Sequence, residues 1–347
     1  SKGRGRVKPK STVHEEKMEK IHLTLSCWEY DRTRPLQEGT VQVEGVDLTY
    51  LPLHVEETFW RMLRYQDFDA AELSMNSYLM SRDKGSPRFI AIPVFPSRFF
   101  RHSFIFINTD AGIREPRDLI GKRVGVPEYQ ITAAVWIRGL LQHEYDVPPS
   151  KMKWFTGGAE DPGREEKVRP DLPKEIEIQR IGSDRTLSAM LEQGELDALI
   201  CAHIPSPFVR RSPKIKRLFP NFRELEMDYY RRTKIFPIMH TIALREEFYE
   251  KNPWVAQSLC KAFSEAKSIC EETMYKYSAL KYMVAWSVAA MEEERELFGD
   301  ELWPYGLKSN THVLETLVQY SYEQGLIKKQ LDVKSLFAPN TLEDFKV

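Results

Sequence analysis

The chain has 347 residues, 42% of them hydrophobic and 29% charged, with 17 glycines and 21 prolines. This length exceeds one ordinary domain of about 100–200 residues, so two lobes with real cores are expected; the composition excludes a disordered, collagenous or disulfide-dense chain. With 50 basic and 51 acidic residues the net charge is −1. No global field therefore draws the protein to nucleic acid or an anionic membrane, and any cationic site must be local.

Lys2, Arg4, Arg6, Lys8 and Lys10 mark residues 1–19 as a disordered basic arm, and no apolar run reaches the ~18 residues of a membrane span. No secretory segment is evident, and Cys27, Cys201, Cys260 and Cys270 form no CxxC pattern. A cytoplasmic protein with buried thiols and no membrane partner is expected.

From residue 20 the pattern is β-α-β. Ile21, Leu23, Leu25 and Cys27 alternate with polar residues, Val46, Leu48 and Tyr50 do the same, and Val55, Phe59, Met62 and Leu63 share one helical face. Asp69 to Leu73 reads as a strand and Asn76 to Arg82 as a helix. Phe89 to Phe95 and Phe104 to Asn108 read as strands joined by a basic sheet-edge turn, FPSRFFRHS. From Gly121 the pattern restarts, with a strand to Val126, a Pro-containing turn and a helix from Thr132. Strands around Ile176 to Ile181 and at DALIC flank a helix from Arg185 to Gln193, Ile238 to Leu244 returns to the first lobe, and the remainder is helical. The expected organisation is lobe one over 20–110, lobe two over 111–237, and 238–347 completing lobe one. The C-terminal helices either cover lobe one or form a homo-oligomer contact, two readings that stay open.

GKRVGVP, LSAMLEQGELDALI and a returning strand before KNPWVAQSLCKAF resemble the type II periplasmic-binding-protein fold. The fold class expected is thus α/β, two-lobed, with mixed, mostly parallel sheets and a helical C-terminal extension. WEYDRTRP, FPSRFFRHS, VPEYQITAAVWIRGLL, DYYRRTKIFPIMH, WPYGL and SYEQGL resemble the 4,5-dihydroxyphthalate decarboxylase family over nearly the whole chain. The resemblance implies a carboxy-lyase of aromatic catabolism and phthalate degradation, acting on a small aromatic carboxylate. A noncatalytic solute-binding protein or sensor is the alternative that the shared fold leaves open.

Candidate site residues follow from their places at strand ends, where ligands gather in open α/β sheets. Arg98 and Arg101 flank two phenylalanines and can clamp carboxylates through planar guanidinium forks, unless the turn is merely a solvated basic one. Glu128, Tyr129, Gln130 and Thr132 occupy a strand-to-helix turn that suits either an anion or a plain helix cap. Tyr30, Asp31 and Arg32 follow the first strand, with Asp31 and Arg32 equally able to pair with each other; Ser77 can recognise a hydroxyl or belong to a cap.

Decarboxylation of a hydroxylated ring proceeds best when a phenolic proton is removed and the ring carbon bearing the carboxylate is protonated, which needs a base and an acid but no cofactor. The expected roles are His102 for ring-carbon protonation and His240 or Glu128 for the phenolic proton, with lobe closure excluding water. His102, His203 and His240 show no metal-binding spacing, so no metal is expected.

Overall fold

The computed structural model describes residues 19–85, 88–276 and 278–343. Apart from Glu19, the basic arm lies outside the described residues. Chain order begins with β1 (Ile21–Ser26), α1 (Arg34–Gln37), β2 (Val46–Leu51), α2 (Val55–Tyr65), β3 (Ala70–Ser74), α3 (Met75–Asp83) and β4 (Phe89–Ile92). The period-2 pattern of β1 buries Leu23 and Leu25, and the apolar face of α2 buries Phe59, Met62 and Leu63. α2 starts where His54 Nδ1 accepts the Glu56 N–H at 3.3 Å and ends at left-handed Gln66. β1 runs parallel to β2 and β3.

The second sheet uses β5 (Ile105–Asn108), β6 (Arg123–Val126), β7 (Lys153–Thr156), β8 (Glu177–Arg180), β9 (Ala198–Ile200) and β10 (Ile215–Arg217), in the order β10-β5-β9-β6-β7-β8. Around it lie α4 (Thr132–Tyr145), α5 (Leu187–Glu192), α6 (Ser206–Val209) and α7 (Phe222–Thr233). β11 (His240–Arg245) then enters the first sheet antiparallel between β3 and β4, giving β2-β1-β3-β11-β4.

One boundary differs from the sequence reading. β5 pairs antiparallel with β9 and β10, so it belongs to the second sheet and the chain crosses between Ile92 and Ile105 rather than after residue 110. A crossing strand and a sheet-edge turn share one pattern, apolar, polar, apolar, which hid the difference. Residues 95–103 are therefore interlobe connection. They run beside the second crossing: Phe99 N–H donates to Pro237 O at 3.0 Å and Met239 N–H to Ser97 O at 2.8 Å.

After α8 (Glu246–Lys251) and α9 (Trp254–Tyr275) come α10 (Ser287–Phe298) and α11 (Thr311–Glu323). α9 packs Leu259 and Phe263 with Leu23, Leu25 and Ile242 behind the first sheet. α11 does more than cover lobe one. It lies against α3 and α4 together, and its Leu314 and Leu317 share one apolar cluster with Leu79 of α3 and Ile137 of α4. Among the described residues no helix is long and apolar enough to cross a membrane.

Candidate active site

Strand direction gathers the site. β1, β3 and β6 all end at the gap between the sheets, delivering Trp28 to Arg32, Ser74 to Ser77, and Pro127 to Thr132. β11 runs against β3, so its first residue, His240, sits opposite Ser74. The crossing segment adds Ser97 to Arg101. Together they enclose a cavity of about 710 Å³, with Trp28, Phe59, Phe99 and Trp303 among its apolar lining.

Of the residues singled out from sequence, Tyr30, Arg32, Ser77, Arg98, Arg101, Gln130, Thr132 and His240 line this cavity. Arg98 and Arg101 are 5% and 6% exposed, and among the described residues neither lies within ion-pair distance of an acid. Burial pushes Arg98 down to about 9 and Arg101 to about 10, so both remain cations at neutral pH. Their bonding differs. Arg98 donates from Nη1 to Phe236 O at 3.1 Å and from Nη2 to Pro304 O at 2.8 Å and to Asn310 Oδ1, which ties both crossings to the C-terminal region. Arg101 makes one bond, from Nη1 to Ala202 O at 3.3 Å, with its guanidinium over the rings of Phe99 and Phe104 at 4.7 and 4.5 Å. Its Nε is buried without a partner. A guanidinium carries five N–H donors, so most of Arg101's stay free for an anion.

His240 is paired with a residue the sequence reading overlooked. Glu72, in the middle of β3, is completely buried; its Oε2 accepts from His240 Nδ1 at 2.6 Å and from the Tyr30 hydroxyl at 2.5 Å, and its Oε1 from Trp28 N–H at 3.1 Å. Burial alone would raise the Glu72 pKa, but His240 and the hydrogen bonds from His240, Tyr30 and Trp28 outweigh it and the net shift is downward. The signal for Glu72 was present: one carboxylate in a strand of otherwise apolar or small residues, AAELS, must find partners because an unpaired buried charge costs several kcal/mol.

A second ionic group was missed as well. Glu56 Oε2 meets Lys167 Nζ at 2.6 Å and Arg164 Nη2 at 2.9 Å, linking α2 to the polar loop of lobe two. Burial raises the Glu56 pKa, but the Lys167 and Arg164 charges dominate and hold it down to about 2.

Four expectations change. Glu128 is not in the lining; its oxygens accept from Arg164 Nε at 2.8 Å, Lys167 Nζ at 2.5 Å and Lys167 N–H at 2.6 Å, leaving it unsuited to take a phenolic proton. His102 points the other way from its neighbour Arg101, packs edge-on to Phe219 and Tyr229 at 5.7 and 5.5 Å, and is pushed down to about 4 by burial and by Arg232. It cannot deliver a proton into the cavity. Tyr129 is buried beneath Arg138, 3.7 Å from its ring centroid, and Asp31 lies outside the lining, 3.4 Å from Arg32.

The polar turn residues bind one another across the lobes instead of capping their own helices. Thr132 Oγ1 bonds Ser74 Oγ at 2.7 Å and accepts Asn76 N–H at 3.0 Å, while Ser77 Oγ donates to Gln130 Oε1 at 2.7 Å. Arg32 donates to Pro96 O at 2.9 and 2.6 Å between the rings of Tyr30 and Trp303. Among the described residues no group of three or more His, Cys, Asp or Glu side chains is placed to hold a metal ion.

No family model matches the chain. A 4,5-dihydroxyphthalate decarboxylase of Comamonas testosteroni is 40% identical over 330 residues, covering 95% of this chain and 100% of its own. One from Pseudomonas putida is 42% identical over 214 residues, 62% of this chain and 83% of its own. Among solved structures, the periplasmic aliphatic sulphonate binding protein of Escherichia coli matches with a TM-score of 0.51 at 12% identity, covering 93% of this chain and 99% of that one. A putative periplasmic sulfonate-binding protein of Methylobacillus flagellatus gives 0.52 at 14% identity, covering 93% of each. These structural matches bear on fold alone and establish a periplasmic-binding-protein-like architecture.

Proposed function

The chain belongs to the 4,5-dihydroxyphthalate decarboxylase family, and from that premise we propose that it converts 4,5-dihydroxyphthalate to protocatechuate and CO2 in the cavity between its lobes. The observation that carries this reading is the pair of buried arginines, Arg98 and Arg101, lining the cavity with no acidic partner among the described residues. An aromatic dicarboxylate supplies the missing negative charge, and the aromatic lining fits its ring.

Each hydroxyl of this substrate is para to a carboxylate. Removing the phenolic proton pushes electron density onto the para carbon; that carbon takes a proton from solvent, its C–C bond to the carboxylate breaks, CO2 leaves, the electron pair restores the ring, and the phenolate regains its own proton. The ring itself accepts the charge, so the reading calls for no cofactor. Arg101, with the more open guanidinium, holds the carboxylate that stays, because a tight clamp on the departing one would stabilise the ground state. His240 exchanges the proton with the phenol, the role that Glu128 is not placed to fill, and His102, packed away from the cavity, does not protonate the ring carbon. The unpaired, buried cysteines Cys27, Cys201, Cys260 and Cys270 support a reducing, cytoplasmic setting for this step of aromatic breakdown.

Incubating the purified protein with 4,5-dihydroxyphthalate and following CO2 and protocatechuate tests the proposal. Stoichiometric release of both is expected. Saturable binding with no product refutes it in favour of a binding protein or sensor.

A further inference from the structure

Glu72 belongs to no motif that pointed to the site, and it lies behind His240, away from the cavity lining. Resting on the decarboxylase reading, we infer that Glu72 is the positioning residue that fixes His240 in the tautomer whose Nε2 accepts the phenolic proton.

The geometry leaves little freedom. A carboxylate offers only acceptors when ionised, so the 2.6 Å contact between Glu72 Oε2 and His240 Nδ1 places the ring proton on Nδ1. His240 lines the cavity, and among the described residues its Nε2 makes no hydrogen bond, so the remaining lone pair is the one open to a ligand. Glu72 cannot turn away, since its other oxygen accepts Trp28 N–H and Oε2 also accepts the Tyr30 hydroxyl. Phe59 closes one side of the imidazole, edge-on at 4.9 Å.

When Nε2 takes the phenolic proton, the imidazolium that forms already has its counter-charge. The proton leaves the phenol oxygen, the O–H electron pair enters the ring, and Nε2–H becomes the donor that is returned later in the cycle; Glu72 stays ionised throughout. The charged or titratable groups around His240 are Glu72 from β3, Tyr30 from the segment after β1, and Glu56 from α2 with its partners Lys167 and Arg164. Glu72 is the one of these bonded to the imidazole.

The test compares wild type, Glu72→Gln, Glu72→Asp and His240→Asn in steady-state turnover of 4,5-dihydroxyphthalate across pH. Glu72→Gln is expected to lower kcat about 100-fold or more with KM changed less than about 3-fold. Loss of the counter-charge should also change the pH dependence of kcat/KM on its acid limb. Glu72→Asp, which keeps the charge, should keep the wild-type acid limb. Independently of any variant's folding, ¹⁵N NMR of wild-type histidines at neutral pH should show His240 protonated on Nδ1 and bare on Nε2. A bare Nδ1, or a Glu72→Gln enzyme with wild-type kcat and acid limb, overturns the inference while leaving the decarboxylase reading standing. A wild-type protein that releases no CO2, or a fully active His240→Asn variant, overturns instead the reading on which it rests.

Discussion

Replacing Arg101 by methionine should leave the empty protein as stable as before, or more so, while crippling its hold on an aromatic dicarboxylate. Burial lowers the Arg101 pKa from 12.5 to about 10, and each pKa unit is worth ~1.4 kcal/mol, so keeping this guanidinium charged costs the folded state about 3 kcal/mol at neutral pH. Sign and window follow: the penalty is present below about pH 10, where the folded group is still charged. Against it stand the contacts with Phe99 and Phe104 and one long bond to Ala202 O, together about 1–2 kcal/mol. Arg101→Met therefore changes unfolding free energy by about +1 to +2 kcal/mol, a rise of at most a few degrees in Tm for a chain this long. Losing a charge-assisted, two-pronged contact costs the ligand about 2–4 kcal/mol, or roughly 30- to 1,000-fold in Kd. Differential scanning calorimetry of the free protein and titration calorimetry with phthalate measure the two quantities. A destabilised variant that binds phthalate as tightly as wild type refutes the reasoning, because Arg101 would then be a structural cation. Arg98 supplies the contrast: burial lowers it further, to about 9, a cost of about 5 kcal/mol, but its three donors are spent on Phe236 O, Pro304 O and Asn310 at about 1.5–3 kcal/mol each, so Arg98→Met should bring no gain and lower stability by up to about 4 kcal/mol.

His102 should make the protein acid-sensitive. Its folded pKa of about 4 lies below the ordinary 6.5, so the unfolded chain binds the extra proton between those values and about 3 kcal/mol of stability is lost as pH falls from 6.5 to 4; in urea melts at pH 7.5 and 5, His102→Gln should show a smaller drop than wild type. Glu56 has a depressed pKa, so its contribution is present above about pH 4.5 and fades toward pH 2. Because its side chain is 39% exposed, screening limits it to about 1 kcal/mol, and Glu56→Gln should cost that much in low salt and less in 1 M NaCl, read by chemical denaturation. Gly139→Ala, which in an open helix would stabilise by up to about 1 kcal/mol, should instead destabilise by about 2–3 kcal/mol, since its Cβ would lie 2.0 Å from Tyr320 Cδ2 where α4 meets α11; thermal melts decide.

Much of the architecture was legible because it rests on local periodicity. The alternation in β1, the apolar face of α2, the helix start at Thr132 and the return strand β11 are each dictated by residues within one element. Sheet membership was not, since β5 carries the same apolar run whichever sheet it joins. The site divides along the same line. Arg98 and Arg101 were found because cations beside phenylalanines in a strand-ending segment are conspicuous. His102 was misread because the chain turns through a 3-10 helix at His102–Phe104, sending adjacent side chains to opposite sides. Glu128 was credited with free lone pairs because its partners, Arg164 and Lys167, sit 36 and 39 residues further on. Glu72 and His240 are 168 residues apart, and only the antiparallel insertion of β11 beside β3 brings them within a hydrogen bond.

The interlobe contacts also change the picture of how water is kept from the reaction. Two lobes joined by crossing strands were expected to close on their ligand, yet here they are already laced shut behind the cavity. Asn76 alone donates from Nδ2 to Gln130 O at 2.8 Å, accepts Ser321 Oγ–H at 2.7 Å, and gives its N–H to Thr132. Lobe one, lobe two and α11 thus meet at one completely buried side chain. Opening there would strand several buried polar groups at about 1–3 kcal/mol each and split the apolar cluster that α11 shares with α3 and α4. The contacts behind the cavity are therefore made in folding rather than on binding, and the buried charges of Arg98 and Arg101 are held in place beside it before any ligand arrives.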